Sequence, residues 1–284
     1  MKQKDVKKAT YKLICLDLDG TLLNSKSQVC HVTKTALLKL EKKGVRIAIV
    51  TGRATFEAMH YASEISESTY FIGANGAFVG AQNLENPIFE KGFSIEQRVE
   101  LNEIVKKYRL KPVYSMRNEM KVTGILPYLL FRRHTTKDRG SKRAAHLHYL
   151  SPFHKLKFTI SIKEALHKCV FFFANIDKMK QIELQLREHA SFETVVTSSR
   201  VIEVTPVGIN KAYGIKQLIQ YLGIEAKDVI AFGDSENDLE MIKFAGCGVA
   251  MGNATDQLKK HANYITKKND DAGIAYALEQ LLSD

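Results

Sequence analysis

The sequence predicts an α/β protein, a doubly wound parallel sheet interrupted by an inserted α+β domain. Short, predominantly apolar runs (Leu13–Leu16, Val45–Val50, Val229–Phe232) alternate with helical patterns, as buried parallel strands do. Each run ends in polar residues and glycine: Asp17-Leu18-Asp19-Gly20, Thr51-Gly52-Arg53 and Gly233-Asp234-Ser235. Between about residues 84 and 205 this alternation stops, and strand-like pieces follow one another with few helices between them. A chain of 284 residues is long enough for one large domain or two modest ones.

Residues 12–19 form the first predicted strand. A helix follows over 31–43, with Ala36, Leu37 and Leu40 at helical spacing and Gly44 as its stop. Next come a strand at 45–50, a helix at 55–65, and a strand at 69–72 that leaves through Gly73-Ala74-Asn75-Gly76. Linkers near 80–87 and 205–209 bound the insertion, which occupies 84–205 and leaves 1–83 and 206–284 as the core. Inside the insertion the pattern predicts a helix over 94–108, strands near 112–116 and 120–126, and then a long polar stretch. A strand at 169–174, a helix at 177–189 and strands at 192–197 and 201–204 complete it. The core resumes with a helix at 211–222, a strand at 229–232 and a helix at 236–243. Strand 248–250, helix 255–260, a short strand at 263–265 and a closing helix at 271–282 end the chain.

Charge is unevenly spread. The insertion holds 22 Lys/Arg against 13 Asp/Glu, net +9, whereas the rest of the chain is close to balanced at +2. Much of the excess lies in Arg132-Arg133-His134 through Lys142-Arg143, followed by His146, His148 and His154. This is either a solvated basic loop or a field that gathers anionic substrates. The cluster has no interleaved aromatics and matches no nucleic-acid module, which argues against a nucleic-acid partner. The four cysteines have no CxxC spacing, and Cys15, Cys169 and Cys247 fall in apolar runs, so reduced thiols in a cytoplasmic protein are expected. Residues 1–10 are polar and read as a frayed terminus. No apolar run approaches a membrane span, and oligomeric state is not legible.

In an open α/β sheet the carboxyl ends of the strands face the ligand crevice. Asp17 and Asp19 stand two residues apart on one strand, and Asp234 ends another, so these three carboxylates are expected to converge on one rim. Like charges that close call for a cation, and all-oxygen ligands favour Mg2+. Asn237 and Asp238 lie one turn into the next helix, where the first could bond a phosphate and the second could hold a lysine or a metal-bound water. Lys211 opens a helix where the chain returns to the core, a natural place to neutralise phosphoryl oxygens. Taken singly, Asp-Gly is a common turn and a lysine at a helix start is usually a surface residue. Together they define a site.

The order DLDGT, TGR, a helix-opening lysine and GDSENDLEM resembles the haloacid dehalogenase superfamily of aspartyl-phosphate enzymes, with a Rossmann-like core. The insertion after the third strand, IGANGA at 72–77, VAMGNA at 249–254 and NDDAG at 269–273 resemble its Cof-type phosphatase branch. The resemblance implies a role for each matching position. Asp17 would be the nucleophile, and Asp19 the general acid and then base, its main-chain carbonyl also binding Mg2+. Leu18 N–H, Thr51, Gly52, Lys211 and Asn237 would hold the phosphate; Asp17, Asp19 and Asp234 would form the metal set. Arg53, Asn75, Gly76 and Asp238 would touch substrate or support the others. An aspartate at position 19, where related ion pumps have threonine, implies hydrolysis of a small phosphorylated metabolite, with sugar phosphates the leading class. Phosphoryl transfer to a sugar hydroxyl is the alternative within the same chemistry, and a non-enzymatic role for the basic insertion is a third. Asn210 stands before the lysine where serine or aspartate is more usual; it can still cap a helix.

Overall fold

The computed structural model describes residues 10–125, 127–129, 132, 146–151, 161–198 and 200–282, and the chain forms two compact units. The first comprises residues up to Arg53, Ala58–Phe89 and Asn210 onward; the second comprises Ala54–Glu57 and Glu90–Ile209. Most of the basic run at 132–143 lies outside the described residues, as do His154, residue 126 and residues 1–9. No described helix is long and apolar enough to cross a membrane.

The first unit is built on β1 (Leu13–Leu16), β2 (Arg46–Val50), β3 (Tyr70–Gly73), β4 (Phe78–Gly80), β12 (Val229–Gly233), β13 (Cys247–Ala250) and β14 (Tyr264–Ile265). With the short β5 (Phe89–Glu90) the sheet order is β14-β13-β12-β1-β2-β3-β4-β5. From β14 to β3 every pair is parallel. Parallel pairing with both faces covered explains the unbroken apolar runs: all four residues of β1 and all five of β12 are buried. The chain winds outward from β1 through β2 and β3, then returns to β12 on the other side of β1. That reversal opens a crevice at the carboxyl ends of β1 and β12. Register aligns those ends, with Leu16 opposite both Phe232 and Ile49. Asp17, Thr51 and Asp234 therefore emerge along one rim.

The connecting helices of this unit are α1 (His31–Lys42), α2 (Thr55–Ile65), α5 (Lys211–Leu222), α6 (Leu239–Phe244), α7 (Asp256–His261) and α8 (Gly273–Leu281). Two departures from the sequence reading affect the site. The expected helix at 236–243 splits into a 3-10 turn at Glu236–Asp238 and then α6. After β3 the chain turns back as β4, antiparallel to β3, with Ala74 and Asn75 at positive φ (49° and 55°) and buried. A run of small residues, IGANGA, hides such a hairpin from periodicity.

The second unit holds a six-stranded sheet in the order β10-β11-β9-β6-β7-β8. Its strands are β6 (Val113–Ser115), β7 (Met120–Thr123), β8 (Leu147–Leu150), β9 (Lys168–Phe172), β10 (Phe192–Ser198) and β11 (Val201–Pro206). All pairs are antiparallel except β7–β8. Helices α3 (Ile95–Lys107) and α4 (Ile176–Glu188) supply Leu101, Ile104 and Val105, and Met179, Ile182 and Leu186, to one core. The sheet meets them with Tyr114, Cys169, Phe171, Ile202 and Val204. Alternation along the strands sends those residues to one face. Ser94 and Gln97 close a capping box on α3, and Asn175 caps α4. Strand β8 lies within the stretch whose sequence predicts only a polar connection. His148 and Tyr149 are exposed between buried Leu147 and Leu150, leaving too weak an apolar signal at a sheet edge.

Candidate active site

Asp17 is the first residue beyond β1, and its own N–H donates to Phe232 O (3.1 Å), which ties it to the neighbouring strand. Its carboxylate is buried, and Oδ1 accepts from Lys211 Nζ at 2.6 Å. Lys211 opens α5, whose N-cap Asn210 accepts from Tyr213 N. The same ammonium donates to Asp238 Oδ1 at 2.5 Å. Asp238 Oδ2 in turn accepts from the backbone N–H groups of Asp234 (2.9 Å) and Ser235 (3.0 Å), so one carboxylate shapes the turn and holds the lysine. Gly233 makes this possible: a Cβ there would lie 2.5 Å from Asp238 Cβ.

Carboxylate oxygens of Asp17, Asp234 and Asp238 lie within 4.8 Å of one another. Two of these acids bond the Lys211 ammonium, and the third stands close to both. Burial, then the Asp238 charge, push the Asp17 carboxyl well above the usual range, with Lys211 opposing them. For Asp234 burial and Asp238 raise the value to about 6, against Lys211 and the Thr21 hydroxyl. Burial alone would pull Lys211 down, but Asp17 and Asp238 more than reverse it and keep the ammonium charged. The donor set is all oxygen and carries more negative charge than Lys211 neutralises. These residues fit a hard divalent cation.

The expected convergence of the Asp17, Asp19 and Asp234 side chains is corrected in one member. Asp238 completes the cluster among the described residues, while the Asp19 side chain, 59% exposed, turns to the Arg53 guanidinium. Arg53 binds it through both Nε (2.7 Å) and Nη2, donates from Nη1 to Tyr61 OH (3.2 Å), and lies over the Tyr61 ring. A guanidinium fork matches a carboxylate so well that it draws the exposed acid away from the buried ones. Asp19 still adds to the negative field at Asp234.

Thr51 is buried at the exit of β2, its hydroxyl accepting from Arg53 N (3.1 Å). Gly52 follows it, and Leu18 is buried beside Asp17. Asn75 donates its N–H to Thr51 O (3.1 Å). A Cβ on Gly76 would come within 2.1 Å of Asn210 O, so the β3 exit lies directly against the residue before Lys211. Asn237 accepts from Ser235 Oγ (2.6 Å). Sequence reasoning assigned no role to Thr21, whose hydroxyl donates to Asp234 Oδ1 (3.2 Å), nor to Tyr61; DLDGT contained the first, and nothing local marked the second.

Acids and a lysine at the switch point of a doubly wound sheet make a site suited to a hard cation and an anionic substrate group. A family model described as haloacid dehalogenase-like hydrolase matches residues 14–278, and the chain belongs to that family. The 5-amino-6-(5-phospho-D-ribitylamino)uracil phosphatase YcsE of Bacillus subtilis is 30% identical over 272 residues, covering 94% of each chain. A second B. subtilis phosphatase of that name, YwtE, is 28% identical and covers 96% of this chain and 98% of its own. The crystal structure of a haloacid dehalogenase-like hydrolase from Bacteroides thetaiotaomicron is 30% identical with a TM-score of 0.79. It covers 96% of this chain and 100% of that one. The protein is a phosphoric monoester hydrolase acting on phosphorylated substrates, with an α/β core and an inserted cap.

Proposed function

We propose that this chain is a Mg2+-dependent phosphatase of small phosphorylated metabolites, sugar and sugar-alcohol phosphates foremost, working through an aspartyl phosphate on Asp17. The observation that carries this reading is the cluster of three carboxylates, Asp17, Asp234 and Asp238, two of which hold the buried Lys211 ammonium. Asp17 attacks phosphorus through a carboxylate oxygen, the ester oxygen leaves, and water then releases phosphate, dividing one displacement into two. Mg2+, held by Asp17, Asp234 and the Asp19 carbonyl, would neutralise the negative charge that anionic phosphate brings to these acids. Lys211 orients Asp17 and spreads phosphoryl charge, and Asp238 keeps Lys211 in place. Thr51, the N–H groups of Leu18 and Gly52, and Asn237 bind phosphoryl oxygens. Asp19 donates a proton to the leaving oxygen and then takes one from water; to do so it must part from Arg53. The YcsE and YwtE names place a phosphorylated ribityl chain among the relatives' substrates, which supports sugar-like phosphates here.

The insertion, residues 84–205, is proposed to select the organic part of the substrate, with its positive charge attracting anions. Asn75 and Gly76 are proposed to touch substrate. Phosphate release from an aryl phosphate with Mg2+, compared between wild type and Asp17→Asn, tests the mechanism. Loss of turnover is the expected result, and an unchanged rate overturns the reading. Turnover in isotopically labelled water separates hydrolysis from transfer: a hydrolase places the label in phosphate, a transferase leaves it out.

A further inference from the structure

On the phosphatase reading above, we infer that Asn253 and Asn269 are positioning residues, a relay of two side-chain amides that clamps the loop after the nucleophile to the strand end carrying Asp234. The loop closes partly on itself: Leu22 N donates to Asp17 O (3.1 Å) and Leu23 N to Leu18 O (2.9 Å). Two of its carbonyls are met from outside. Asn253 Nδ2 donates to Gly20 O (2.8 Å), and Asn269 Nδ2 donates to Leu23 O (2.9 Å). The relay is joined in the middle, because Asn269 N donates to Asn253 Oδ1 (3.1 Å). That bond also assigns the amide: the end that accepts from an N–H is the oxygen, so the nitrogen faces Gly20. A further tie runs from Ser25 N to Asp270 Oδ1 (2.8 Å).

The other end of the clamp is anchored at β12. Met251 N donates to Gly233 O (3.0 Å) and Thr255 N to Asp234 O (2.9 Å), so the segment bearing Asn253 is stitched to the backbone on both sides of it. The Gly20–Thr21 peptide held by Asn253 is the one whose Thr21 hydroxyl bonds Asp234, and Gly20 lies at φ +79° with no room for a Cβ beside Asp234 Oδ2 (2.4 Å). Leu23, held by Asn269, is paired with Asp19 and bonded to Leu18 O. The relay therefore sets the spacing between the backbone that carries Asp17, Leu18 and Asp19 and the backbone that carries Asp234. Displacements on the order of 1 Å in such a site slow reactions by about a hundredfold.

Asn253→Ala, Asn269→Ala and the double variant test this against Asn263→Ala, which removes a comparable side-chain bond, to Gly248 N, away from the site. The expected result is a fall in kcat on the order of 10- to 100-fold for Asn253→Ala with KM nearly unchanged. The double variant is expected to be no slower than the slower single one, because the two amides act as one unit. Hydrogen exchange in a peptide spanning residues 17–25 is expected to quicken in Asn253→Ala and stay unchanged in Asn263→Ala. Unchanged exchange overturns the clamp. Faster exchange with wild-type kcat, or a loss of kcat matched by Asn263→Ala, overturns the positioning role. A wild type that turns over no phosphate monoester overturns the phosphatase reading and the positioning role together, while exchange still decides the clamp by itself.

Discussion

The two units treat buried charge in opposite ways. In the second unit, Lys168 bonds Glu203 at 2.7 Å, and Glu90 is answered by His167 (2.8 Å) and Arg117. In the first, Lys211 faces Asp17 and Asp238 with Asp234 close by. A buried pair that balances needs nothing more; a buried cluster left negative holds its carboxyls protonated or awaits a cation. The cluster around Lys211 is also the more deeply buried of the two, and its imbalance marks the site.

Removing the lysine from each should separate them most sharply. Lys211→Met leaves two buried acids without their counter-ion, and a loss of about 3–5 kcal/mol in chemical denaturation is expected, together with at least a thousandfold fall in kcat. Lys168→Met should also destabilise but leave kcat within about twofold, because its partner Glu203 lies outside the acidic cluster. Equal kinetic effects would erase the contrast.

Next in size is the response to metal. Mg2+ should raise Tm at neutral pH by binding the folded chain, and Asp234→Asn should lose most of that rise. In the metal-free protein the same substitution should itself be neutral or stabilising, since it relieves the crowding that lifts Asp234 to about 6. A Mg2+ response that survives Asp234→Asn would place the cation elsewhere.

A smaller effect belongs to the balanced region. Burial alone would raise Glu90, yet His167 and Arg117 outweigh it and hold the carboxyl at about 2, below its usual 4.5. A depressed folded-state value gives stability that is present above pH 4.5 and lost as pH falls towards 2. Glu90→Gln should remove that component, so the variant's stability deficit at neutral pH should shrink across this window in acid denaturation. A deficit independent of pH would mean that Glu90 acts by shape alone.

Much of the fold was legible because its evidence is local. Runs such as Val229–Phe232 are apolar on both faces only if a parallel strand is covered on both, and a carboxylate placed after such a run has few uses besides a site. The insertion's helices were equally plain, since Leu101, Ile104 and Val105 recur at helical spacing. Strand β8 and the β3–β4 hairpin were not, because an edge strand with exposed polar residues and a turn of small residues leave almost no pattern. At the site, the motifs picked out Asp17, Lys211 and Asp234, and Asp238 as a residue that could hold the lysine, but they expected the Asp19 side chain to join the cluster.

By itself, then, the sequence determined the order of the elements, the rim on which polar residues leave the sheet, and the family. Only the tertiary structure decided which side chains meet. Asp238 reaches the cluster because Gly233 has no Cβ and the 3-10 turn folds the carboxylate back onto its own strand end, under Lys211. Asp19 leaves it because Arg53, 34 positions later, offers a better-shaped partner on the same rim. Local pattern reports what each residue can do, whereas the partner of a charge is chosen by distance, and distance is set by how remote segments pack.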